Sequence, residues 1–286
     1  MSKSLTVAIQ GVQACFHDVA ARKYFSTSTI TPIECSSFRI LCDSLSSRKA
    51  DFAIMAIENT IAGSILPNYA LLEKNDFKIL GEVYLRIEMC LLALPGQSIE
   101  DIRFVQSHPM AILQCQEFLA QLQNVKLIEA SDTAESAMEI SQKGLKQFAA
   151  IASRLAGETY GLNILKENIE TDPSNYTRFL VLCRSADYVR PEDSNKTSIR
   201  FETGHTPGCL AKILTVFSAH QLNLTKIQSI PVLGKPYQYA FHVDLEWSDY
   251  SDFTQALAEM KVYALNIVQF GEYQRGERRS VLRTQE

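Results

Sequence analysis

From Leu5 to Arg184, short apolar runs alternate with segments of helical period, and this alternation limits the fold more than any other feature. LTVAIQG (Leu5–Gly11), ADFAIMAIEN (Ala50–Asn59), IRFVQSHP (Ile102–Pro109) and FAAIAS (Phe148–Ser153) read as strands with polar or small ends. Helical patterns follow near Asp18–Phe25, through MAILQCQEFLAQL, and through RLAGETYG up to Gly161. Pro109 suits a first helical turn, where its missing N–H does no harm. Asp132 and Glu135 have the spacing of a capping box. FKILGEVYLRIEMCLLAL (Phe77–Leu94) reads as two strands, or one bent strand crossing a junction, stopped by Pro95 and Gly96. Strands alternating with helices predict an α/β fold on a mostly parallel sheet.

The pattern changes at ADYVRPEDSNK (Ala186–Lys196), where charge, proline, asparagine and serine mark a linker. After it, TSIRFET, GCLAKILTVFSAH, LTKIQSIPVLG, YQYAFHVDLE, DFTQALAEM and YALNIVQFGEY follow a β-α-β-β-α-β order, which predicts a small ferredoxin-like domain. It carries no evident nucleophile or metal set, so a regulatory or assembly role is expected of it. The boundaries expected are 1–188 for the α/β part, 189–195 for the linker, 196–275 for the small domain and 276–286 for a basic, solvated tail.

A net charge of −4 argues against a nucleic-acid footprint. Seven scattered cysteines without a CxxC pair read as reduced, mostly buried residues, and the five histidines offer no HExxH spacing, so no metal site is expected. The apolar stretch in MSKSLTVAIQG is too short for a signal peptide, and no run of 18 apolar residues occurs. A soluble, cytoplasmic protein with no membrane partner is expected. No Walker A, dinucleotide fingerprint or GxSxG elbow is present, so no nucleotide cofactor and no serine-hydrolase chemistry is expected.

Polar residues recur at the strand ends, where open α/β sheets bind ligands and helix N-termini offer free N–H groups. Cys15 and His17 in QACFHDVAA are two apart, so they do not face each other on a helix and make a poor nucleophile pair. Gly11 permits a tight turn beside a ligand. In IENTIAG, Asn59 and Thr60 can cap a helix or meet a carboxylate, and Glu58 is either a general acid or a cross-domain partner. Ser107 and His108 precede Pro109, His108 as a structural or ligand-orienting residue. NYTRFLVL (Asn175–Leu182) reads as a capped core strand or as the edge of a ligand site. In an extended strand Thr177 and Phe179 share one face and Arg178 takes the other.

The chain resembles the prephenate dehydratase family over nearly its whole length, through GVQACFHDVAA, IENTIAG, SHP, SDTA, AAIAS, YGL, NYTRFLVL and HTPGCLAKILTVFSAHQLNLTKIQS in order. The resemblance implies that 1–188 is a catalytic domain of two α/β lobes, the second at about 82–165, like a type II periplasmic binding protein, followed by an ACT-like domain, with chemistry that needs no cofactor. It implies conversion of prephenate to phenylpyruvate, water and carbon dioxide on the way to phenylalanine. Thr177 falls on the family's catalytic threonine; Asn59, Thr60, Ser107, His108, Asn175, Arg178 and Phe179 fall on its cleft. Effector binding of phenylalanine is implied at Gly208, Cys209, Leu210, Asn223, Leu224, Gln228 and Ser229, in a homodimer or homotetramer. The family's second glycine and its serine or threonine run are here Ala14, Cys15 and His17, and IENS has become IENT. In the second domain ESRP has become QSIP, so Gln228 and Ile230 replace two charges. An arogenate dehydratase and a non-catalytic carboxylate sensor are the alternatives.

Overall fold

The computed structural model describes residues 4–232, 234–235 and 237–277. The chain opens with β1 (Leu5–Gln10), α1 (Phe16–Tyr24), β2 (Ile30–Cys35), α2 (Phe38–Ser46), β3 (Phe52–Asn59), β4 (Gly63–Ser64), α3 (Leu66–Lys74) and β5 (Phe77–Arg86). A second lobe follows with β6 (Cys90–Ala93), β7 (Phe104–Ser107), α4 (Pro109–Gln114), α5 (Gln116–Leu119), β8 (Lys126–Glu129), α6 (Thr133–Lys143), β9 (Phe148–Ala152), α7 (Arg154–Tyr160) and β10 (Asn163–Lys166). The chain then returns through β11 (Tyr176–Arg184).

The first sheet runs β2-β1-β3-β11-β5, with β4 on β3; β1 pairs in parallel with both β2 and β3. The second runs β10-β6-β9-β7-β8 and is mixed, parallel at β9-β7-β8 and antiparallel at β10-β6-β9. The long run from Phe77 to Leu94 thus splits into two strands in different sheets. The crossings β5 to β6 and β10 to β11 join the lobes. β11 is buried from Thr177 to Cys183, which is why its sequence reads as a continuous apolar run rather than an alternation. In α6, Thr133, Ala134, Ser136, Ala137 and Ile140 form the buried stripe, at helical spacing. Asp132 caps this helix, as expected, and Gly144 closes it in the left-handed region.

The remaining elements are β12 (Lys196–Thr203), α8 (Cys209–Ala219), β13 (Asn223–Pro231), β14 (Tyr239–Glu246), α9 (Tyr250–Met260) and β15 (Ala264–Tyr273). Their antiparallel sheet runs β13-β14-β12-β15, the order of a ferredoxin-like domain. Phe201, Phe217 and Phe253 fill its core, and Trp247 stacks on Phe253 at 4.0 Å between ring centroids.

The expected domain boundaries need correction. The described chain forms two compact units, residues 4–75, 83–181 and 277 in one, Asp76–Glu82 and Leu182–Gly276 in the other. The segment Asp76–Glu82 belongs with the ferredoxin-like unit because its groups bond there. Lys78 Nζ donates to Gln269 O at 2.7 Å, Ser185 Oγ to Asp76 Oδ1 at 2.6 Å, and Lys196 Nζ to Glu82 Oε1 at 3.0 Å. The second lobe begins later than residue 82, for its core runs from Ile87 to Ile169. The expected linker 189–195 is a packed strap. Arg190 bonds Glu272 at 2.7 Å and covers the Tyr250 ring, and Asn195 N donates to Tyr273 O. The expected basic tail lies beyond Glu277 largely outside the described residues; its first residue, Gly276, donates its N–H to Glu82 Oε1 at 2.9 Å.

Gly271 shows how tightly Ile79 is held. Its φ is +148°, and an added Cβ would fall 2.4 Å from Ile79 O. Gly271→Ala is expected to lower stability by about 1–3 kcal/mol, read as a fall in the urea midpoint. An unchanged midpoint would show that the Ile79 backbone yields freely.

Candidate active site

The polar ends of the first sheet and the helix starts of the second lobe enclose a cavity of about 270 Å³. From the first lobe come Gln10, Cys15, His17, Asn59, Thr177 and Phe179; from the second come His108, Gln114, Ser131, Asp132 and Thr133; Ile87 and Met89 line the crossing between them. Two bonds hold the loop after β1 against the second lobe: Ser153 Oγ donates to Ala14 O at 2.8 Å, and Tyr160 OH to Gln13 O at 2.7 Å. Ala14, at the position of the family's second glycine in the motif above, adopts φ +68°, in the left-handed region that glycine enters most readily.

The centre of the site is one asparagine. Asn59 Oδ1 accepts the N–H groups of Ile61 and Ala62, both at 2.9 Å, in a turn that leads into β4. This fixes which way its amide points. Its Nδ2 therefore donates to Asn175 Oδ1 at 2.8 Å and to Thr177 Oγ1 at 2.9 Å. Asn175 is fully buried and passes the chain on, its Nδ2 donating to Gln114 Oε1 in the second lobe at 2.9 Å. Thr177 Oγ1 accepts from Asn59, and no acceptor among the described residues takes its proton. The hydroxyl is thus oriented as a donor toward the cavity it lines.

The strand alternation separates the other residues of this segment. Thr177 and Phe179 line the main cavity, whereas Arg178 lines a second hollow of about 240 Å³ with Tyr84, Tyr176, Glu58 and Thr60. The Arg178 guanidinium is buried there, 3.4 Å from Glu58 and 5.9 Å from the Tyr84 ring centre. Three expected cleft residues therefore need correction. Arg178 points to the opposite face of the strand. Thr60 bonds Ser174 O and Tyr176 N through its hydroxyl, both at 2.9 Å, and fastens the turn to β11 instead of capping a helix. Ser107 is fully buried and spends its hydroxyl on Ile151 O at 2.7 Å, because it is still inside the sheet.

His108 does reach the cavity. Its Nδ1 accepts from Met110 N at 3.2 Å, capping α4, so a proton on the neutral ring belongs to Nε2. His17 also lines the cavity. Its ring is held edge-on by Phe38 and Phe179, its Nε2 is buried without a hydrogen-bond partner, and burial pulls its pKa down to about 3. It is a neutral imidazole at ordinary pH. Cys15 donates its S–H to Gln10 O at 3.3 Å, and burial, with the charge of Asp132, pushes its thiol well up. That is the reverse of what a nucleophilic cysteine needs. Gln10, His17, Gln114 and Asp132 were outside the set expected from sequence. Gln10, His17 and Asp132 had as a signal only their position near strand-to-helix transitions, shared by many residues, and Gln114, the last residue of α4, had none.

In the ferredoxin-like unit, Gly208 (φ +86°), Cys209 and Leu210 form the start of α8. Cys209 lies 2.9 Å from Thr206 Oγ1, a bond that holds its thiol pKa below the usual value. Asn223 and Leu224 open β13, and Leu224 and Leu210 both pack against the core. Gln228 turns its amide back onto Ser229 O at 3.0 Å.

Among the described residues no group of His, Cys, Asp and Glu could hold a metal ion, and no helix is long and apolar enough to cross a membrane. A family model described as prephenate dehydratase matches residues 7–187. Arogenate dehydratase/prephenate dehydratase 2 of Arabidopsis thaliana is 38% identical over 278 residues, covering 93% of this chain and 72% of that protein. Among solved structures, the prephenate dehydratase of Arthrobacter aurescens in complex with L-Phe is 27% identical with a TM-score of 0.82, covering 95% of this chain and 90% of that one. GqqA, described as a novel type of quorum quenching acylase, is 29% identical with a TM-score of 0.84, covering 94% and 98%.

Proposed function

Because the chain belongs to the prephenate dehydratase family, we propose that it converts prephenate to phenylpyruvate, water and carbon dioxide, as the resemblance in its sequence implied. The observation that carries this reading is the Thr177 hydroxyl, its oxygen accepting from Asn59 and its proton left for a ligand. The reaction breaks two bonds of the ring substrate. The C–O bond to the ring hydroxyl breaks with its electron pair leaving on oxygen. The C–C bond to the ring carboxylate breaks with its pair entering the ring, which becomes aromatic as carbon dioxide departs. One proton is taken up to make water of the leaving hydroxide. The two electrons lost with hydroxide are replaced by those released with carbon dioxide, so there is no net redox step.

Hydroxide is a poor leaving group, and donation by Thr177 as the C–O bond stretches is the help this cavity offers. A threonine hydroxyl is a weak acid, so its contribution is a hydrogen bond that strengthens as charge builds on the departing oxygen. The Asn59 amide aids it by donating to Oγ1. His108, whose Nε2 is free to donate, and Gln10 and Gln114 are polar partners for the substrate carboxylates. Purified protein incubated with prephenate is expected to form phenylpyruvate without added cofactor. Failure to form it would overturn the reading.

The same proposal includes phenylalanine as an effector bound by the ferredoxin-like unit, in a homodimer or homotetramer. Supporting it is the likeness to a structure described in complex with L-Phe. Phenylalanine added to the same assay should lower the rate. Deleting residues 196–286 is a poor control, because it strips Asp76–Glu82 of its partners.

A further inference from the structure

Asp132 has one oxygen occupied and one to spare. Oδ1 accepts Ala134 N at 2.8 Å and Glu135 N at 3.0 Å, which caps α6. Oδ2 takes no hydrogen bond from the described residues. It faces the first lobe so closely that a Cβ on Gly11 would sit 2.8 Å from it. The carboxylate is half-buried and lines the cavity that holds Thr177. No lysine or arginine lines that cavity among the described residues. Burial also raises the carboxyl pKa, as befits an anion short of partners.

A lone carboxylate is an odd companion for a substrate that already carries two. It repels both through a medium of low dielectric. A helix cap needs only one oxygen, and a serine or asparagine would supply that without the charge. The charge is explained when the ligand brings a cation of its own.

Position points to which part of the ligand that is. In the first sheet β3 lies between β1 and β11, so Gly11, just beyond β1, is about two strand spacings, roughly 10 Å, from Thr177 on β11. A substrate with its leaving hydroxyl at Thr177 can reach Asp132, across the cavity the two residues share, only with the opposite end of its ring. The carbon at that end bears the ring carboxylate and the three-carbon side chain. In prephenate the side chain is a keto acid and offers only acceptors. In arogenate, its amino-acid counterpart, it carries an ammonium group.

We propose that Asp132 is a specificity-determining residue: its Oδ2 binds the ammonium group of arogenate, a substrate named for this chain's relatives, and so sets the balance between arogenate and prephenate. The inference rests on the dehydratase reading above. It differs from a bare capping role in one respect: it requires the charge, not just the oxygen.

Asp132→Asn separates the two, since asparagine caps a helix as well as aspartate does. kcat/KM is measured for arogenate and for prephenate, in the parent and in the variant, with circular dichroism to check the fold. The parent is expected to use both substrates. The variant should lose about tenfold or more in kcat/KM for arogenate, chiefly through KM, as expected for a lost charge-assisted hydrogen bond. Its kcat/KM for prephenate should rise, because one repulsive charge has gone. A parent enzyme that ignores arogenate, or a variant in which both values move together, overturns the role of Asp132 and leaves the dehydratase reading standing. A parent enzyme that turns over neither substrate overturns both.

Discussion

Thr177→Val is expected to lower kcat for prephenate by about 10²–10⁴-fold, the usual worth of a positioned proton donor. Valine matches threonine in shape and branching, and the position is 8% exposed, so packing is nearly conserved. The substitution removes the O–H aimed at the ligand and the oxygen that accepts from Asn59 Nδ2. Asn59 keeps Asn175 Oδ1 at 2.8 Å, so the rest of the network has reason to stay in place. KM should change little, because the bond matters most as charge develops on the departing oxygen. Thr177→Ser, which restores the hydroxyl with a freer rotamer, should recover much of the rate. Near-parental turnover in the valine variant would remove Thr177 from the mechanism.

Lys196→Met is expected to cost about 3–5 kcal/mol of stability, the range for breaking a buried ion pair from one side. Lys196 is fully buried, with Nζ 3.0 Å from Glu82 and 3.3 Å from Glu246, whose side chains are themselves almost wholly buried. Methionine fills the volume and leaves two buried carboxylates without their cation. Arg275 approaches Glu246 only at 3.7 Å and from an exposed position, so it replaces little of the lost charge. The check is the urea midpoint of the full chain. Restoration should come from a triple variant, Lys196→Met with Glu82→Gln and Glu246→Gln, which removes the orphaned charges along with the cation. A single variant as stable as the parent would mean that water or a neighbouring cation reaches these carboxylates.

Much of the architecture was legible because it is written in local periodicity. The alternation of apolar runs and helical stripes, the cap at Asp132, Pro109 in a first helical turn, and the β-α-β-β-α-β order are properties of neighbours in sequence. The division of Thr177 and Phe179 from Arg178 is legible for the same reason, since side chains alternate along any extended strand. The mixed second sheet was not, because strand direction there depends on how the chain crosses between lobes. Nor was the place of Asp76–Glu82, which bonds to residues nearly two hundred positions later, beyond the reach of any local pattern.

For the site, motif membership and site membership differ. IENT and SHP each carry one residue that reaches the cavity, TRF carries two, and the others hold it up. Asn59 reaches it while Thr60 fastens the turn; His108 reaches it while Ser107 stays in the sheet; Thr177 reaches it while Arg178 turns away. By itself the sequence determined the elements, the family likeness and the face on which Thr177 lies, all of which follow from residue type and spacing of one or two positions. Tertiary structure alone brought the Asn59 amide N–H to Thr177 Oγ1, which leaves the Thr177 proton for a ligand. It alone placed the spare oxygen of Asp132 in the same cavity. Both outcomes depend on an approach between residues more than a hundred positions apart: β3 meets β11 within the first sheet, and Gly11 meets Asp132 across the two lobes.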